Sequence, residues 1–222
     1  MVVLVVGAAV LLVRSPLLDV DHVRAVGATR TGREAVLSAA AIQSGTQMTS
    51  VDLGAAERRI ERLPWVADAT VTRDWPGTVR INVIERVPVA VTDGPSPLLV
   101  DRDGRLLGSA RGDEHLASIG PRPVGSAPGD VLASVQRARV RVVAAMPASL
   151  ASEVETVSMD REGLVLVLGD GIVVEVGNTS RLRAKFDVVA ARLAQPDRDT
   201  IATINVTAVD APALTRKPTD GA

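Results

Sequence analysis

Leu63-Pro64-Trp65-Val66-Ala67-Asp68-Ala69-Thr70-Val71-Thr72-Arg73-Asp74-Trp75-Pro76-Gly77-Thr78-Val79-Arg80-Ile81 holds two alternating runs on either side of a Pro-Gly turn. Before the turn, Ala67, Ala69, Val71 and Trp75 share one parity, and Asp68, Thr70, Thr72 and Asp74 share the other. After it, Val79, Ile81 and Val83 alternate with Thr78, Arg80 and Asn82. Period-two alternation is the pattern of a half-buried strand. Residues that face each other across a hairpin lie on the same side of the sheet. A two-residue loop at Pro76 and Gly77 would set Val71 against Asn82, apolar against polar. A three-residue loop over residues 76–78 sets Trp75 against Val79 and Val71 against Val83, and Gly77 can supply the left-handed residue that such a loop wants. The expectation is a hairpin with one apolar face, with Trp65 and Trp75 in the core and at its rim.

Working outward, residues 17–26 (LLDVDHVRAV) alternate loosely and end at Gly27, as a strand does. Thr31 and Glu34 have the spacing of a capping box, ahead of a short stripe of Val36, Leu37, Ala40 and Ala41. Asp52 is a good N-cap for a second helix, which puts Leu53, Ala56, Ile60 and Leu63 on one face before Pro64 stops it. The order is strand, helix, helix, strand, strand. Past Val87 the texture changes. Residues 89–92 and 98–100 read as short strands, and residues 111–129 as a surface loop rich in Gly, Pro and Ser. Asp130 can cap a helix with Val131, Val135, Ala138, Val142 and Met146 on its face. Residues 154–159 form a strand. Residues 164–168 and 172–176 form a hairpin about Gly169-Asp170-Gly171. A helix from Asn178 or Thr179 turns Leu182, Phe186, Val189 and Leu193 inward, and residues 201–209 make the last strand. Residues 210–222, polar and proline-containing, are expected to be a disordered tail. The fold class is α+β.

Composition removes several functions. The 222 residues carry 25 Lys and Arg against 26 Asp and Glu, a net charge of −1, so no global basic field draws the chain to nucleic acid. Trp65, Trp75 and Phe186 are its only aromatic residues, too few for base stacking. The chain has no cysteine, which excludes disulfides, zinc thiolates and a cysteine nucleophile. His22 and His115 stand apart and read as surface histidines. Asp101-Arg102-Asp103-Gly104 opens like a calcium loop, but its glycine comes at the fourth position and Gly112 stands where a bidentate glutamate is needed. Gly169-Asp170-Gly171 does not precede a helix N-terminus and is no phosphate cradle. No set of residues can be assigned acid, base and nucleophile roles together. No catalytic residue, cofactor or metal is expected.

Residues 1–13 (MVVLVVGAAVLLV) are uncharged and end at Arg14. A core helix would show a polar face, and a cleaved signal peptide a basic start and a small-residue cleavage site. The favoured expectation is the C-terminal part of a transmembrane helix over residues 1–14, because a spanning helix needs about 20 apolar residues. Residues upstream of Met1 are then expected to lengthen the apolar run and to put Lys or Arg on its inner side.

The quoted stretch, residues 63–81, resembles the POTRA domain of the FtsQ/DivIB family. Glu85-Arg86-Val87-Pro88-Val89-Ala90 is what that family shows at the domain's end, and Val23, Val26 and Gly27, with Val51-Asp52, fit as well. Gly171-Ile172-Val173-Val174-Glu175-Val176-Gly177, Arg183-Ala184-Lys185 and Ile204-Asn205-Val206-Thr207 resemble the family's C-terminal β domain. The resemblance implies a POTRA domain over residues 18–87 and a β domain over residues 88–209. It implies a non-enzymatic, single-pass type II membrane protein with its folded domains outside the cytoplasm, concentrated at the division septum. It also implies partners similar to FtsB/DivIC and FtsL. The last strand, Thr203, Ile204, Asn205, Val206, Thr207, Ala208 and Val209, is the expected partner-binding site, by addition of a partner strand to a free sheet edge. Against that stands an ordinary edge strand covered by the tail. Ala208 departs from the family, many members of which carry a larger residue there. The competing role, a POTRA protein of polypeptide export or membrane assembly, would bring tandem POTRA units or a membrane barrel.

Overall fold

The apolar faces of the central hairpin do meet, two residues from where the turn chemistry alone would set them. In the computed structural model, which describes residues 18–112 and 115–218, strands β2 (Val66–Asp74) and β3 (Thr78–Glu85) are antiparallel. Asp74 faces Thr78, Val71 faces Ile81 and Ala69 faces Val83. The loop has three residues, but they are Trp75, Pro76 and Gly77. A shift of two keeps every side chain on its face, so parity alone cannot detect it. Gly77 is not left-handed. It is needed for space: a Cβ there would lie 2.3 Å from Asp21 Oδ2. Its carbonyl accepts the N–H groups of Asp21 and His22 at 2.8 and 3.1 Å. That contact leads into β1 (His22–Val26), which runs parallel to β3.

Trp75 is not a core residue. It lies beyond the end of β2 and is 51% exposed. Trp65 is half-buried beneath the Arg30 guanidinium, 5.0 Å from its ring centre. The core of this unit is aliphatic instead, built on Val36, Met48, Ile60, Val71, Val79 and Ile81. Helices α1 (Arg33–Ala40) and α2 (Leu53–Ile60) complete it against a sheet of order β1-β3-β2. Asp52 caps α2 as expected, its Oδ1 accepting from Ala55 N at 2.9 Å. The capping box at Thr31 does not form. Gly32 stands at the N-cap with a φ of 84°, and no side chain caps α1. The N–H and hydroxyl of Thr31 donate instead to Glu85 Oε1, at 2.6 and 2.7 Å, and Arg30 N donates at 2.9 Å. A carboxylate at the end of β3 thus holds the loop before α1.

The chain divides into two compact units, the first ending at Arg86 and the second starting at Val87. The second is built on strands β4 (Pro88–Asp93), β5 (Leu98–Asp101), β6 (Leu106–Ser109), β7 (Ser118–Pro121), β8 (Val154–Met159), β9 (Leu164–Leu168), β10 (Val173–Gly177), β11 (Ile201–Asn205) and β12 (Ala213–Arg216). They form one mixed sheet of order β12-β11-β10-β9-β8-β7-β4-β5-β6. Its helices are α3 (Ser134–Ala144), α4 (Ala148–Ala151) and α5 (Leu182–Leu193). Val140, Val143, Leu150, Phe186 and Val189 of these helices share a core with Val157, Leu166, Val174 and Ile204 of the strands. The architecture is α+β, as expected.

Three expectations change. Asp130 caps no helix: its backbone carbonyl accepts Leu106 N at 2.8 Å, and α3 begins only at Ser134. Val131 and Val135 are accordingly exposed, while Val142 and Met146 are buried as expected and Val140 and Val143 join them. The expected loop over residues 111–129 contains β7, wedged between β4 and β8 and parallel to both. The expectation of a disordered tail fails for Ala213–Arg216, which form β12. The expected membrane helix at residues 1–14 lies outside the described residues. Among the described residues no helix is long and apolar enough to cross a membrane.

Two outcomes follow for the first unit. Ile81→Ala, at a fully buried site, should destabilise it by about 2–5 kcal/mol, and Trp75→Ala by clearly less; urea unfolding of both variants checks the contrast. Burial alone would raise the pKa of Glu85, but the hydrogen bonds from Thr31 and Arg30 outweigh it and hold the carboxyl below its ordinary value. A carboxylate depressed by folding contributes stability above its unfolded pKa of about 4.3 and loses it as pH falls through the folded value. Glu85→Gln should therefore flatten the acid limb of stability against pH. Parallel parent and variant profiles would contradict this.

Candidate functional site

A strand at the end of a sheet leaves alternate N–H and C=O groups without a partner, so the two edges of the second unit deserve separate accounts. At the β6 end, Leu106 N donates to Asp130 O at 2.8 Å, Gly129 N to Leu106 O at 2.7 Å and Leu132 N to Gly104 O at 2.8 Å. The segment 129–132 covers the start of that edge, at Gly104 and Leu106. At the other end stands β12, with β11 on one side and, among the described residues, no strand on the other.

Of the expected site, Thr203, Ile204 and Asn205 lie in β11, between β10, to which it is parallel, and β12, to which it is antiparallel. They are not at the edge. Ile204 and Val206 are buried, and Thr203 and Asn205 are half-exposed on the opposite face, as the alternation predicts. Val206 N donates to Glu175 O at 2.9 Å, extending the ladder one residue past β11. Thr207, Ala208 and Val209 then turn away toward β12, with Thr207 and Ala208 exposed.

The direction of each amide of β12 follows from one hydrogen bond. Lys217 N donates inward to Thr200 O at 2.8 Å. Amides two residues apart in a strand point the same way. Those of Ala213 and Thr215 therefore face β11, and those of Leu214 and Arg216 face outward. All four residues are exposed. The Arg216 side chain reaches Asp197 at 3.2 Å, which also accepts Arg192 at 2.8 Å. This strand escaped the sequence reading because Ala-Leu-Thr-Arg is short, sits between prolines and has one large apolar residue; only the alternation of Leu214 with polar Thr215 hints at it.

Across β9, β10 and β11, on the face away from the helices, a groove of about 320 Å³ is lined by residues that include Glu162, Val165, Val173, Glu175, Asn205 and Thr207. Asn205 Nδ2 donates to Glu175 Oε2 at 2.5 Å. Gly163 and Gly177 make the floor close-set: a Cβ on Gly163 would lie 2.5 Å from the Gly177 carbonyl. On the helix side, Lys185 of α5 is 1% exposed and donates to Val176 O, Asn178 O and Asn178 Oδ1 at 2.8, 2.9 and 3.2 Å. It ties α5 to the end of β10, the strand on which β11 is laid. Burial, and then the Arg181 guanidinium, hold its ammonium below the ordinary lysine value.

The profile of the POTRA domain, FtsQ-type, matches residues 18–86, and that of the cell division protein FtsQ/DivIB, C-terminal, matches residues 90–211. The chain is similar to the cell division protein FtsQ of Mycolicibacterium smegmatis, 34% identical over 214 residues, covering 96% of this chain and 62% of that protein. It is 31% identical to that of Mycobacterium leprae over 94% of this chain and 59% of the relative. With that of Corynebacterium glutamicum it shares 29% identity over 77% of this chain and 80% of the relative. The chain thus spans about three fifths of the length of the two mycobacterial relatives.

Lys185→Met would keep the packing and leave the carbonyls of Val176 and Asn178 without their donor. It should destabilise the second unit by about 1–3 kcal/mol at neutral pH. Because folding lowers the lysine pKa, the unfolded chain binds more protons between the folded value and about 10.4, so parent stability should rise with pH through that window. The variant should lack the rise. Urea unfolding at neutral and alkaline pH measures both.

Proposed function

The chain belongs to the FtsQ/DivIB family of cell division proteins, and we propose that it is a non-enzymatic scaffold that recruits partners similar to FtsB/DivIC and FtsL through the C-terminal edge of its large sheet. In this proposal it is anchored in the cell membrane by a single N-terminal helix. Its two folded units lie outside the cytoplasm, at the division septum. The observation that carries the reading is the contrast between the two ends of the sheet: residues 129–132 cover the start of one, and among the described residues no segment pairs with the outer side of β12.

The expected site over residues 203–209 enters the proposal with one change of role. β11 and the turn after it support the acceptor, and the outer side of β12 is where the partner strand adds. Main-chain groups of Leu214 and Arg216 would supply the ladder. The exposed side chains of Leu214 and Arg216 would contribute selectivity.

Proline separates the two sides of the strand, because it has no N–H to donate. Leu214→Pro removes an outward amide, so the chain should fold and melt near the parent, while affinity for an FtsB/DivIC-like segment falls about tenfold, the equivalent of about 1.4 kcal/mol. Thr215→Pro removes an inward amide and should destabilise the β11–β12 pairing itself. Calorimetric titration of the folded variants decides. A well-folded Leu214→Pro chain with parental affinity would place the partner strand elsewhere.

A further inference from the structure

A basic groove lies on the second unit, between the β5–β6 turn and α3. It has a volume of about 610 Å³, and the charged groups lining it are Arg102, Arg137, Arg141 and Asp103. Three guanidiniums against one carboxylate leave two positive charges on a chain whose net charge is −1. Among the described residues, the guanidinium groups of Arg102, Arg137 and Arg141 have no hydrogen-bond or ion-pair partner. Several other arginines of this unit are committed. Arg122 donates to Ser126 O and Arg139 to Ile119 O, while Arg181 pairs with Asp210 and Arg198 with Glu153 and Asp170.

The placement of the three is built into the fold. Arg137 and Arg141 are four residues apart on α3 and so share a face, where like charges repel and destabilise the helix. The stem of Arg137 lies across Gly104 in the β5–β6 turn: a Cβ on that glycine would come within 2.5 Å of Arg137 Cγ. The same turn carries Arg102. Asp101 Oδ1 fixes it by accepting the N–H groups of Asp103 and Arg105 at 2.9 and 2.8 Å. A fixed turn and a helix face thus present three guanidinium forks to one concavity.

We propose that this groove binds a phosphate ester group. Guanidinium forks match the oxygens of phosphate two at a time, and a phosphomonoester carries close to the two negative charges that the site lacks. A single carboxylate would leave the groove with a surplus charge. The shared chemistry admits two sources, a soluble phosphate ester or the headgroup of a phospholipid. The site is separate from the β12 edge and does not depend on the partner-binding proposal.

The test follows the amide and arginine side-chain signals of the purified chain by NMR, in titrations with inorganic phosphate and with glycerol 3-phosphate, at fixed ionic strength. A parallel arm measures sedimentation with phosphatidylcholine vesicles that contain or lack phosphatidic acid. The expected result is saturable binding centred on Arg102, Arg137 and Arg141, weakened about tenfold or more in the Arg137→Gln, Arg141→Gln double variant. Both side chains are exposed, so the variant should melt near the parent and a loss of binding is not a loss of fold. Response to the soluble probes assigns a soluble ester. Response only to phosphatidic acid vesicles, lost in the double variant, assigns a headgroup. No saturable binding in either arm, equal binding by succinate, or undiminished binding by the folded double variant would overturn the proposal.

Discussion

Every backbone N–H and C=O in a sheet needs a partner, and the strands at its ends are where that demand goes unmet. Much of this molecule's construction can be understood as a response to it. On the outer side of β2, Val71 N finds Glu57 of α2 at 2.8 Å, and Arg73 crosses to the carbonyls of Met48 and Val51. At the start of the chain's first strand region, Val20 pairs with Gly45 and Thr46 through both its N–H and its carbonyl. Residues 129–132 pair with the start of the β6 edge at Gly104 and Leu106. The exception in the large sheet is β12, four exposed residues held to β11 on their inner side. In the proposed function this edge is where a partner strand adds.

An edge can receive a strand only if the strands beneath it are rigid. β11 is laid parallel on β10, and β10 is fastened at its end by the buried ammonium of Lys185. Around the periphery, Arg198 joins Glu153 and Asp170, while Asp197 joins Arg192 and Arg216. Pairs this exposed contribute about 0–1 kcal/mol each. Their effect is geometric: they fix the approach to β12 and its far end. Binding by main-chain hydrogen bonds also fits the side chains there. Ala213 and Ala208 offer little to grip, and a ladder does not require large anchors.

Legibility followed the range of the forces. The order strand, helix, helix, strand, strand could be read because alternation, the Asp52 cap and Pro64 are local signals. The hairpin about Gly169-Asp170-Gly171 was legible for the same reason. The register of β2 on β3 was not, because a shift of two residues leaves both apolar faces intact and a contact between Gly77 and Asp21 decides it. The Thr31 cap was lost to Glu85, fifty-four residues away. β7, with Ser118, Ile119, Gly120 and Pro121, has no strand composition and exists because β4 and β8 flank it. Within the candidate site, the burial of Ile204 and Val206 followed from the alternation. That β11 is interior did not, since β12 pairs through backbone groups that any sequence carries.

In the proposed function the outward amides of β12 donate to a partner strand added at that edge. Residue-resolved amide exchange addresses it directly, measured on the chain alone and with a bound extracytoplasmic segment of an FtsB/DivIC-like protein. The account predicts that the amides of Leu214 and Arg216 exchange freely in the chain alone, while that of Thr215 is slow, and that Leu214 and Arg216 become protected on binding. Protection appearing instead at the open side of β1, or binding that leaves Leu214 and Arg216 exchanging as before, would contradict it.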